Sequence, residues 1–104
     1  MIITTTETIV GKNIVETLGL VKGNTIRARH VGSDIGAGLK SLVGGEIKGY
    51  VKAMNDARDE AEKRMRDEAE KMGADAIVGV RFTSATIMSG SAEILAYGTA
   101  VKLG

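Results

Sequence analysis

The chain has no cysteine, proline or tryptophan, and only one histidine, one phenylalanine and two tyrosines among its 104 residues. Without thiols, disulfides and thiolate metal sites are excluded. With no proline, no low-complexity linker and no internal repeat, nothing marks a boundary, and residues 1–104 read as one domain. So few aromatic side chains leave base stacking without a platform. A net charge of +1, from 14 basic and 13 acidic residues, gives no electrostatic footprint for nucleic acid or anionic lipid. The one local basic cluster is Lys22, Arg27, Arg29 and His30. No run of about 18 apolar residues occurs, and the opening "MIITTTETIVGK" carries no basic leader. No membrane contact and a cytoplasmic location are therefore expected.

What is present divides into blocks of different period. Residues 14 to 31, "IVETLGLVKGNTIRARHV", are rich in Ile, Val, Leu and Thr, with Gly19 and Gly23 as bulge or turn points. One long bent strand is expected, with a hairpin as the alternative. From Ser33 the period changes, since Ser33 or Asp34 can cap a helix and Ile35, Leu39, Leu42 and Val43 recur at helical spacing. Gly44 and Gly45 interrupt it, and a second helix runs on to Met72 and stops at Gly73.

Residues 56 to 71, "DARDEAEKRMRDEAEK", place twelve charges in sixteen positions and leave Ala57, Ala61, Met65 and Ala69 as the only apolar stripe. The pairs Asp59/Lys63, Glu60/Arg64, Glu62/Arg66 and Asp67/Lys71 set the acid four residues before the base, the order that supports a helix by roughly 0.2–0.5 kcal/mol per pair. A solvated outer face is expected, together with an alanine-rich inner one that lies close on a sheet but buries little area at ~25 cal/mol per Å².

Two strands finish the chain, "DAIVGVRFTSATI" (75 to 87) and "AEILAYGTAVKL" (92 to 103), joined at residues 88 to 91 as a hairpin. By alternation Val78, Val80 and Phe82 share one face of the first, and Arg81 and Thr83 the other. The second is apolar on both faces, with Ile94, Ala96 and Ala100 on one and Leu95, Tyr97 and Val101 on the other. Such a strand sits centrally or is covered by another subunit. A long helical crossover returns the chain so that the first two strands run parallel, and the third pairs antiparallel with both from between them. The expected fold is a two-layer α+β unit, β-α-β-β, with a mainly antiparallel sheet in the order 1-3-2.

The glycine-rich stretch "HVGSDIGAGLKSLVGGE" (30 to 46) resembles a phosphate loop only superficially. A P-loop fails because Ala37 stands where the second glycine belongs, and the dinucleotide pattern fails because Gly36-Ala37-Gly38 is followed three residues on by Ser41 instead of glycine. Close helix approach or bending is the better use of these glycines. His30 falls on the strand face of Ile26 and Ala28, where a satisfied core or interface residue is the commoner role. Asp34 can orient its ring and Ser33 offers a hydroxyl, but no second histidine completes a catalytic set. With one imidazole and five thioethers, a metal site must be carboxylate-rich or assembled from several chains.

At "DIGAGLKSLVGGEIKGY", "MGADAIVGVRF" and "YGTAV" the chain resembles the YbjQ-like family of small proteins, sometimes labelled heavy-metal-binding domains. Matching positions include Asp34, Gly36, Gly44, Gly45, Tyr50, Ala57, Arg58, Gly73, Ala74, Asp75, Ala76 and Gly98 to Val101. The resemblance implies a dodecin-like subunit fold assembled into a ring, typically a homopentamer, with the glycine-rich stretch as a structural signature. It supplies no metal ligand set that transfers residue by residue.

The function expected is that of a non-enzymatic cytoplasmic homo-oligomer, with self as partner. It would bind a metal ion, of the divalent class, or a small ligand between subunits, with His30, Asp34 and Glu46 as the polar residues at the junction. The rival is a purely structural or protein-interaction ring. A third class is a hydrolase using His30 and Asp34.

Overall fold

The computed structural model describes residues 1–28, 45–88 and 91–104, and for residues 27, 28, 45–50, 88 and 91 the backbone alone. Its elements are β1 (Ile2–Ile3), β2 (Ile14–Ala28), α1 (Gly45–Lys71), β3 (Ala76–Met88) and β4 (Ser91–Leu103). The strands form one mixed sheet in the order β1-β3-β4-β2. β2 and β3 each run antiparallel to β4 and so parallel to each other. The three long strands thus stand in the order expected from the sequence. The correction is a fourth strand: β1 joins the β3 edge in parallel, pairing Ile2 with Ala76 and Ile3 with Ile77. Two residues are too few to show alternation, so no pattern marks them.

β2 is one long strand, not a hairpin. It is bent where its register with β4 slips, between Ile14 and Glu16 and between Thr17 and Gly19. Gly19 adopts φ 128°, so it serves the bulge as expected. Gly23 does not: its register is unbroken. A side chain on Gly23 would fall onto the Ala61 carbonyl oxygen and the Met65 backbone nitrogen and come within 2.7 Å of Arg64 Cβ. The glycine is where the helix backbone rests directly on the sheet.

α1 ends as the sequence predicts. Gly73 at φ 79° donates to the Glu70 carbonyl and Ala74 donates back to Ala69, the paired bonds of a left-handed helix cap. The charged face pairs differently from expectation. Glu60–Arg64 and Glu62–Arg66 form, but Lys63 turns forward to Asp67 instead of back to Asp59, and Lys52 pairs with Asp56. These pairs are exposed, so their exchange changes little free energy.

The first core is built from α1's stripe, Ala57, Ala61, Met65 and Ala69, against Val21, Ile77, Val80, Ile94, Ala96 and Ala100. Thr25 is a buried polar residue within it, and its hydroxyl donates to the Ala57 carbonyl at 3.0 Å. A second, smaller core lies on the opposite sheet face: Ala76, Val78 and Val101, packed by Ile9, Ile14 and Leu103. Val78 and Val80 therefore face opposite ways, against the simple alternation expected. The cause is Gly79, at φ 61°, which with Val80 forms a bulge in the register between Val78 and Arg81. Opposite the bulge there is no room for a side chain at Gly98, where a Cβ would meet Ile77 Cγ2 at 2.8 Å and the Val78 carbonyl oxygen at 3.0 Å.

The bulge also anchors the N-terminal segment. Gly79 donates to the Thr6 carbonyl and Val80 to the Thr4 carbonyl, while Arg81 Nη1 donates to the Thr5 carbonyl at 2.9 Å. Thr4 and Thr6 are tied by a hydroxyl pair at 2.9 Å. This strap carries Ile3 and Ile9 to the two cores. The apolar second face of β4 is thus covered at Val101 by the chain itself.

Candidate functional site

Of the residues singled out in the sequence, His30 and Asp34 lie outside the described residues. Glu46 stands in the first turn of α1, and only its backbone is described. Of the basic cluster, Lys22 is exposed on β2, and the side chains of Arg27, Arg29 and His30 lie outside the description. Among the described residues no group of three or more His, Cys, Asp or Glu side chains gathers to hold a metal ion. Among them too, no helix is long and apolar enough to cross a membrane.

Two surfaces within the described residues have the form of sites. The first is the sheet face turned away from α1. Its rows follow from register: Lys22, Tyr97 and Arg81 lie side by side across three strands, and the next row holds Asn24, Leu95 and Thr83. Leu20 and Ile26 are 66% and 58% exposed there, and Ile87 stands half exposed at the far end of β3. Asn24 and Glu93 are joined by a 3.0 Å hydrogen bond across the same face. Beyond the strap and its small core this face has no cover among the described residues. Large apolar side chains side by side in water form the kind of patch that marks an interaction surface.

The second surface is a concavity of about 170 Å³ on the helix side, lined by Arg58, Phe82, Thr83, Ser84 and Ile94. It exists because α1 lies over β2 and β4 and barely reaches β3. The bulge at Gly79 then turns Phe82 and Ser84 to the helix side, beyond the reach of the alanine stripe. Phe82 is left 44% exposed. Arg58 leans over this gap, held by one hydrogen bond from Nη1 to Asn55 Oδ1. It is unlike the other arginines of α1, which bond to carboxylates: among the described residues Arg58 has no acidic partner. The sequence carries a trace of this, since Met54, not an acid, stands four residues before it. A cation, the Ser84 hydroxyl and an aromatic ring around one open space can bind an anion, but the described lining includes no nucleophile–base pair.

Comparison with known proteins bears on the whole chain. A family model described as "Putative heavy-metal-binding" matches residues 1–104. A UPF0145 protein of Halorubrum lacusprofundi is 60% identical over 103 residues, covering 99% of each chain. One from Shewanella frigidimarina is 60% identical over 104 residues, covering 100% of this chain and 97% of the relative. One from Thermosipho africanus is 61% identical over 103 residues, covering 99% and 95%. A crystal structure from Pediococcus pentosaceus, described as a protein of unknown function in the DUF74 family, superposes with a TM-score of 0.67 at 19% identity, covering 100% of this chain and 98% of the other. That likeness speaks for the fold. Full-length agreement with the family model and with relatives near 60% identity identifies the chain as a member of the YbjQ-like family, the UPF0145 proteins.

Proposed function

We propose that the protein is a non-enzymatic, cytoplasmic subunit of a homo-oligomeric ring, a homopentamer of dodecin-like units, which binds a divalent metal ion or a small ligand where subunits meet. The observation that carries the reading is a sheet face without cover among the described residues, with Leu20, Ile26, Ile87 and Tyr97 exposed on one side of a single sheet layer. The shape supports it. The described residues span 55 × 23 × 17 Å with a radius of gyration of 16.9 Å, against about 13 Å for a compact domain of about 100 residues. An elongated two-layer unit gains cover by association, and identical units favour closed symmetry.

The metal half of the proposal draws on the family's description and on His30, Asp34 and Glu46, brought together from neighbouring copies. One imidazole and carboxylates from each of several chains can assemble a donor set that a single chain lacks. Native mass spectrometry of protein purified without chelator tests both halves at once. A closed oligomer retaining a divalent ion or small molecule is expected. A stable 10.9 kDa monomer would overturn the ring, and a bare ring that takes up no added ion or ligand would leave the structural or protein-interaction ring as the function. A hydrolase reading returns only with turnover that survives purification and is lost in His30→Ala.

A further inference from the structure

We infer that the concavity beside Arg58 is a binding site for a small oxyanion carried on a flat apolar body, a carboxylate or phosphate attached to a single ring. The described lining includes none of His30, Asp34 and Glu46, so the inference does not rest on the metal reading above.

Charge, shape and placement agree. α1 neutralises Lys63, Arg64 and Arg66 with carboxylates one turn away, yet leaves Arg58 with only the neutral Asn55 amide as its partner among the described residues. The bond to Asn55 uses Nη1 and holds the guanidinium at the gap, with its remaining N–H groups unpaired among the described residues and so open to a planar, two-oxygen acceptor. Ser84 adds a hydroxyl that donates or accepts as required, while Thr83, paired with Leu95 on the other face of the sheet, borders the gap without its hydroxyl. Phe82 and Ile94 form the apolar part of the lining, Ile94 buried in the first core and Phe82 exposed. An exposed phenylalanine on the helix side of the sheet is a cost unless something covers it, and a flat ring does so while its acid group meets Arg58. The volume, about 170 Å³, matches that of an apolar cavity known to admit one benzene ring at about 150 Å³. Among the described lining residues the charged group is positive, which favours an anionic ligand over a cationic one.

The test uses the full-length protein in its native assembly and saturation-transfer NMR, which reads the ligand's own protons and works at any assembly size. Benzoate should receive saturation with a dissociation constant on the order of 1 mM, as suits so few atoms. Benzyl alcohol, the same ring without charge, should bind at least about tenfold more weakly, the loss of one charge-assisted pair. Arg58→Gln should weaken benzoate by a similar factor, and Arg58→Lys should keep part of the affinity. Arg58 is exposed and outside both cores, so these variants are expected to fold, and circular dichroism checks it. Phe82→Ala should remove ring saturation while leaving the assembly intact in sedimentation. A parallel arm with phenyl phosphate separates the two oxyanions, the tighter binder naming the class. Equal binding of benzoate and benzyl alcohol, or benzoate binding unchanged in Arg58→Gln, would overturn the inference, as would the absence of saturation at several millimolar benzoate.

Discussion

Replacing Gly23 with alanine puts the packing of helix on sheet to its strictest test. The added Cβ collides with the Ala61 carbonyl oxygen and the Met65 nitrogen, and approaches Arg64 Cβ to 2.7 Å. Two of those atoms are helix backbone, so no side-chain rotation relieves the overlap, and trimming residue 61 to glycine leaves its carbonyl in place. The helix must lift or slide, and the four side chains it presents, Ala57, Ala61, Met65 and Ala69, each fully buried, lose contact together. Overpacking of a well-fitted site costs about 1–3 kcal/mol where side chains can adjust. With backbone against backbone the upper end applies, so we expect about 3 kcal/mol, a large part of the ~5–15 kcal/mol that stabilises a typical domain. For a chain of this size that lowers the melting temperature by roughly 12–24 °C, at ~4–8 °C per kcal/mol. Urea unfolding followed by circular dichroism measures it, with protomer concentration held fixed because association shifts the midpoint. Gly79→Ala is the control: nothing lies within 4 Å of its Cβ, and only φ 61° opposes the change, at about 1–2 kcal/mol. If Gly23→Ala unfolds within ~0.5 kcal/mol of the parent protein, or costs no more than Gly79→Ala, the direct seating of helix on sheet is wrong.

Other perturbations separate the surfaces. Thr25→Val keeps the shape but removes the donor to the Ala57 carbonyl, and should cost about 1 kcal/mol in the same urea experiment. Leu20→Asp and Leu95→Asp, on the uncovered face, should shift sedimentation toward smaller species with secondary structure kept. Unchanged sedimentation in both moves the interface elsewhere. Val101→Asp should instead unfold the protein, because Val101 is 1% exposed within the second core and an unpaired buried charge is costly. Glu62→Gln breaks an exposed pair with Arg66 and should change stability by less than about 0.5 kcal/mol after solvent screening. For the metal reading, His30→Ala and Asp34→Ala should each weaken divalent-ion uptake by the assembled protein in equilibrium dialysis, and unchanged uptake in both clears those residues.

The sequence made the regular parts of this fold legible. Alanine and methionine at helical spacing located the buried stripe of α1, Gly73 its end, and two apolar faces the central place of β4. What escaped were breaks in regularity. Alternation put Val78 and Val80 on one face because it assumes a strict period of two. Gly79 was visible as a glycine, but its positive φ and the two amides it turns outward depend on the strap that arrives from Thr4 and Thr6. Gly23 and Gly19 look alike in sequence. One meets a helix and the other bends a strand, a difference set by what packs above each. The Arg58 concavity was hidden for a similar reason: it arises from where α1 stops covering β3, a tertiary fact with only a missing i−4 carboxylate as its local sign. The glycine-rich stretch, residues 30 to 46, lies largely outside the described residues.

The pairing pattern also fixes an order in time. Ile2 waits for Ala76, and Ile14 for Leu103. During synthesis β2 is made early, yet its sheet partner, β4, is the last strand of the chain to emerge. Among the described elements α1 and the β3–β4 pair rest on contacts close along the chain, so these can form first; α1 can then pack on one face of β2, but the edges of β2 stay without a strand partner. Such long-range pairing is slow and open to wrong partners. In a crowded translation complex, where many nascent copies carry the same unmatched strand, the interval before β4 emerges is when this protein is most exposed to aggregation.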